Sequence, residues 1–68
     1  MSTSVRLYGR QFEVVRWAAE GDSNEQIAAR MGVSVDTVKT HLRKAYGRLG
    51  VNSRAGAVAA GFRAGWLR

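Results

Sequence analysis

Lys39, Thr40, Arg43, Lys44 and Arg48 fall within a window of ten residues, and no acidic residue lies between them. Ammonium and guanidinium groups donate hydrogen bonds and accept none, so such a cluster suits phosphate oxygens and purine edges. The side chains just upstream extend that chemistry to the bases of duplex DNA. Val35 can touch a thymine methyl, Asp36 can accept from cytosine N4, and Thr40 can pair with either base type. Lys39 can donate to guanine O6 and N7 or to a phosphate, whereas Arg43, Lys44 and Arg48 lie further along and suit phosphate. The single histidine, His41, has no nucleophile or orienting carboxylate beside it and so reads as a hydrogen-bond donor to phosphate, not a catalytic base.

The charge of the whole chain fits the same use. The 68 residues carry a formal net charge of +6. Residues 1–38 hold four basic and five acidic side chains, while residues 39–68 hold seven basic side chains and no acidic one. Segregation of this kind gives one end suited to a polyanion, although a basic surface also serves solubility.

Other chemistries lack their parts. There is no cysteine, which removes disulfides, thiolate metal sites and cysteine nucleophiles. One histidine without an acidic cluster builds no metal site, so neither metal nor cofactor is expected. No nucleotide loop or triad motif appears, and a chain of this length encloses little of a pocket; the reading is not an enzyme. No apolar run reaches a membrane span and MSTSVRLYG does not resemble a secretory signal, so the expected setting is cytoplasmic, without membrane partners.

The elements that must carry these residues are all α-helical. No proline occurs, and short stretches of helical periodicity are separated by Gly and by Ser, Asn and Asp clusters. The expected division is an N-terminal arm over 1–8, whose Val5 and Leu7 tuck against the body, and a domain over 9–68 with four short helices. Helix one runs from about Gly9 to Glu20, with Phe12, Val15, Ala18 and Ala19 at helical spacing and Val14 and Trp17 widening the stripe. Ser23 and Gln26 form a capping box for helix two, which buries Ile27, Ala28 and Met31 and stops at Gly32. Ser34 caps helix three, which buries Val38, Leu42, Ala45 and Leu49 and ends before Gly50. Its free face is then Val35, Asp36, Lys39, Thr40, Arg43 and Gly47. Asn52 or Ser53 opens helix four, whose last turn frays unless Phe62, Trp66 or Leu67 is held by contact.

Residues 24–43 have the makings of a helix-turn-helix. Two helices crossing at about 90–120° over a short turn need a small residue at the crossing, a residue tolerant of positive φ in the turn, and apolar wedges on both sides. Ala28, Gly32 and the set Ile27, Met31, Val33, Val38 and Leu42 supply them. The second helix of such a motif, here about 34–49, enters the major groove.

From Leu7 to Ala60 the chain resembles the LuxR/GerE family of bacterial transcription regulators. The resemblance rests on SNEQIAARMGVSVDTVKTHLRKAYGRLGVNSRAGAV, above all on Thr37-Val38-Lys39-Thr40-His41 and Leu49-Gly50-Val51-Asn52-Ser53-Arg54. It implies a four-helix fold with helix three as recognition helix, DNA contacts at Lys39 and His41, and Thr37 near the DNA backbone. It also implies a dimer through helix four, with Arg54 to Arg63 near the partner. Where the family opens helix one with Leu-Thr-Pro-Arg-Glu, this chain has Leu7, Tyr8, Gly9, Arg10 and Gln11, so both halves of that capping box are altered. Gly47 replaces a long side chain, and Ala45 a larger apolar one.

The expected function is therefore sequence-specific binding of double-stranded DNA in transcription regulation, as a weak homodimer that forms on DNA. Ala57, Ala60 and Gly61 are the expected dimer interface, because small side chains let two backbones approach. The rival readings are a protein-interaction module docking on RNA polymerase or a partner regulator, and a sigma-factor-like promoter-recognition domain. The Leu-Gly-Val-Asn-Ser-Arg segment after helix three favours the first assignment over the last.

Overall fold

Local capping chemistry decides where the helices begin. In the computed structural model, which describes residues 6–68, the Ser23 hydroxyl accepts from Gln26 N and the Gln26 side chain accepts from Ser23 N, closing the capping box of α2 (Asn24–Met31). Ser34 accepts from Thr37 N at the head of α3 (Val35–Leu49), and Ser53 accepts from Gly56 N at the head of α4 (Arg54–Ala64). Helix α1 (Gly9–Ala19) has no side-chain cap, because Tyr8 stands at that position; an Arg10–Glu13 ion pair in its first turn is exposed and contributes little. Among the described residues these four helices are the regular elements, an all-α fold with the second and third forming the helix-turn-helix.

The turn between α2 and α3 is three residues, Gly32 to Ser34. Gly32 has φ +69°, a conformation that a Cβ disfavours, and Val33 N returns to the Ala28 carbonyl at 3.0 Å. The chain thereby reverses quickly enough for α3 to pack on α2 while also touching α1 and α4. Helix α3 is the central element. Its Val38, Leu42 and Ala45 meet Val14, Val15 and Ala18 of α1, and Ile27, Ala28 and Met31 of α2, in one core. Leu49, at the end of the same stripe, is half-buried.

Two parts of the core come from outside the helices. Leu7 is 1% exposed and belongs to the core, as expected of an arm that tucks against the body; Val5 lies outside the described residues. After Gly65 the chain folds back, placing Trp66 and Leu67 in the core at 7% and 6% exposure. Trp66 meets Phe12 edge-on, with ring centroids 5.8 Å apart. Leu67 comes so near α4 that a Cβ at Gly61 would lie 2.5 Å from its Cδ1. Gly61 thus permits a close approach, and its carbonyl accepts from both Trp66 N and Leu67 N. The expected fraying of the last turn is prevented by these contacts. No helix among the described residues is long and apolar enough to cross a membrane.

Candidate nucleic-acid interface

Because α3 buries Val38, Leu42 and Ala45, its opposite face is left to solvent. Asp36, Lys39, Arg43, Lys44 and Arg48 are exposed there, and Thr37, Thr40 and His41 are half-buried along its margins. Gly47 is exposed, and a Cβ there would meet nothing within 4 Å. Four of the five exposed charged groups are cations, so the face is positive over most of its length.

Local hydrogen bonds restrict what two of the hydroxyls can do. The Thr40 hydroxyl donates to the Asp36 carbonyl at 3.1 Å, which spends its proton inside the helix and leaves acceptor capacity outside. Thr37 Oγ1 accepts from the Ser34 hydroxyl at 2.9 Å, fixing it at the N-terminal cap. Val35 departs from expectation. It is half-buried and packs against the core, and with Lys39 it borders the cleft where α3 meets Ala18 of α1 and Arg54 of α4. Its place on the free face is corrected accordingly.

Beside α3 an open cleft of about 380 Å³ is lined by Asn24, Lys39, Leu42, Arg43, Tyr46 and Arg54. Arg54 reaches into this region from α4. Its Nη1 donates to the Asp22 carbonyl at 3.0 Å and its Nη2 donates to Asn24 Oδ1, tying the start of α4 to the start of α2. Nearby, Arg30 Nε pairs with Asp22 Oδ2, and its guanidinium lies 4.4 Å from the Trp17 ring centroid. Asp22 is therefore occupied by Arg30, leaving Lys39 and Arg43 without an ion-pair partner among the described residues. No group of three or more metal-ligating side chains occurs among the described residues.

Residues 6–60 match the family model of bacterial regulatory proteins of the luxR family. The chain belongs to the LuxR family. It is 51% identical over 53 residues to the probable transcriptional regulatory protein SgaR of Hyphomicrobium methylovorum, covering 78% of this chain and 25% of that one. It is 35% identical over 66 residues to the transcriptional activator protein PhzR of Pseudomonas fluorescens, covering 97% of this chain and 27% of that one. A crystal structure of the response regulator ChrA of a heme-sensing two-component system superposes with a TM-score of 0.80 at 37% identity, over 91% of this chain and 31% of that one. The chain thus spans about a quarter to a third of the length of these relatives. It is a LuxR-type helix-turn-helix DNA-binding domain of the transcription-regulatory kind.

Within this LuxR-type domain, helix α4 corrects the expected dimer interface. Ala57 is 1% exposed and Gly61 is buried beneath Leu67, so neither is available to a partner, and Ala60 is half-buried. Their small size serves packing inside the domain. The outward face is instead Ala55, Ala59 and Phe62, with Val58 at its margin, and Phe62 is 50% exposed. Arg54, expected near the partner, is turned inward by its two hydrogen bonds. Sequence reasoning missed Asn24, Tyr46 and Arg54 as neighbours of the cationic face. One signal was present: a cation in the first turn of α4 opposes the helix dipole and implies a specific acceptor elsewhere.

Proposed function

We propose that α3 lies in the major groove and reads base edges with Asp36, Lys39 and Thr40, while Thr37, His41, Arg43, Lys44 and Arg48 hold the sugar-phosphate backbone. The observation that carries this reading is the position of Lys39. It is exposed in the first half of α3, beside the cleft at α2, where side chains of a recognition helix reach bases. Arg43, Lys44 and Arg48 continue along the same helix and suit backbone phosphates. The names of the relatives, two of them transcriptional regulators and one a response regulator, support a role as the DNA-binding output of a regulatory protein.

Selection from random duplexes should return a defined site, and binding to it should weaken steeply with salt. Three or four neutralised phosphates per domain give a slope of log Kobs against log salt of about −3 to −4. Affinity unchanged between two salt concentrations would remove the phosphate contacts and with them the proposal.

The site should also have two-fold symmetry. A surface helix ordinarily keeps one polar face, yet α4 carries Ala55, Ala59, Phe62 and Val58 outward as well as Ala57 and Gly61 inward. A second copy of this chain would cover the outward stripe. The interface is small, since 11 residues of helix cannot offer much toward the roughly 1,200 Å² of stable complexes, so pairing belongs on DNA, with half-sites about one helical turn apart. Sedimentation with a symmetric duplex should give two proteins per duplex for the wild type and one for Ala59→Glu, which alters only an exposed position. One wild-type protein per duplex at saturation would end the dimer reading.

A further inference from the structure

Arg54 is a cation spent on neutral acceptors. It occupies the first position of α4, where the helix dipole disfavours positive charge, and is nevertheless half-buried. Its planar fork meets the Asp22 carbonyl with one nitrogen and Asn24 Oδ1 with the other. A guanidinium only donates, so the Asn24 carboxamide must turn its oxygen toward Arg54 and its NH2 group away. Asn24 and Arg54 line the same open cleft as Lys39 and Arg43, the two cations at the near end of the α3 face. Asn24 is also the first residue of α2, so the clamp fixes the head of that helix relative to α4.

We infer that Arg54 is a positioning residue that orients Asn24 so that the carboxamide N–H groups donate to a DNA phosphate beside Lys39. This rests on the DNA-binding reading above and adds a neutral backbone contact to it. A free surface asparagine would have to be ordered on binding; one already held by Arg54 loses less freedom at that step. Arginine suits the task because its planar fork presents two nitrogens to the two acceptors in a fixed geometry, whereas lysine offers a compact ammonium on a flexible stem. Since both acceptors are neutral, Arg54 keeps its charge and adds to the positive field of the cleft without itself touching DNA.

The test uses the full chain and the duplex recovered by selection, at one fixed salt concentration. Asn24→Ala and Arg54→Lys should each weaken binding roughly 5–10-fold, the size of one ordinary net hydrogen bond, with the double variant no weaker than the stronger single loss. In 15N spectra the Asn24 side-chain amide of the wild type should shift on adding duplex, and that shift should be absent in Arg54→Lys. A merely structural Arg54 would lower the melting temperature and leave the affinity of the folded protein alone. Wild-type affinity in folded Arg54→Lys would overturn the proposal, as would multiplicative losses in the double variant. If Arg54→Lys fails to fold by circular dichroism, the wild-type amide titration and Asn24→Ala decide, and an unmoved amide overturns the idea. Arg43→Ala serves as the control: its reduced salt slope confirms backbone binding independently, so failure at Asn24 is separable from failure of DNA binding as a whole.

Discussion

Trp66→Ala is expected to unfold a large fraction of the domain under conditions where the wild type is fully folded. The indole is 7% exposed, stacks edge-on against Phe12, and stands next to Leu67, itself 6% exposed. Truncating a buried tryptophan to alanine costs about 3–5 kcal/mol, through lost burial and the cavity left behind. A chain of this length has a stability of roughly 3–10 kcal/mol, so the loss is comparable with the whole margin at the lower end. The other anchor of the segment after α4, Leu67, depends on the same reversal at Gly65. Urea denaturation followed by circular dichroism would measure the effect, with Trp66→Phe retaining most of the stability. A loss below about 1 kcal/mol would mean that the tail peels from the domain without consequence, contrary to its burial. The result bears on where this domain ends, because the family match stops at residue 60 whereas the core continues through Leu67.

That discrepancy shows what the sequence could and could not convey. The starts of α2 and α3 were legible because each depends on chemistry within three or four residues, Ser23 with Gln26 and Ser34 with Thr37, whereas α4 was left between Asn52 and Ser53. The buried stripe of α3 was legible because its spacing repeats within one element. Trp66 and Leu67 lie outside any helix, where periodicity carries no information, and their burial depends on how the chain folds back. Small residues were ambiguous for a related reason. Ala57 and Gly61 permit close approach of some backbone or side chain, but their type does not say whether the neighbour is another copy or the chain's own Leu67. At the interface, the free cations of α3 followed from its buried stripe, whereas Val35 did not. Its position in the first turn faces the junction with α1 and α4, and only the assembled tertiary structure reveals that junction.

Lys39→Ala is expected to cost about 1–3 kcal/mol of discrimination between the selected site and random duplex, roughly 5- to 150-fold. Lys39 is the one exposed cation in the first half of α3, and it borders the clefts on that side of the helix. Its flexible stem can carry the ammonium to the N7 and O6 of a guanine while Arg43, one turn later, remains over a phosphate. Thr40 should contribute less. With its proton already given to the Asp36 carbonyl, it can only accept from adenine N6 or cytosine N4, so Thr40→Ala should relax one position of the site more weakly. Arg43→Ala should instead lower affinity for both duplexes nearly equally and reduce the salt slope by about 0.9. The decisive comparison is between the two lysine and arginine variants on the same pair of duplexes. If Lys39→Ala weakens both duplexes equally and reduces the slope as Arg43→Ala does, then Lys39 is a phosphate contact. Base readout would then have to come from Asp36 and Thr40, the other two side chains proposed to read base edges.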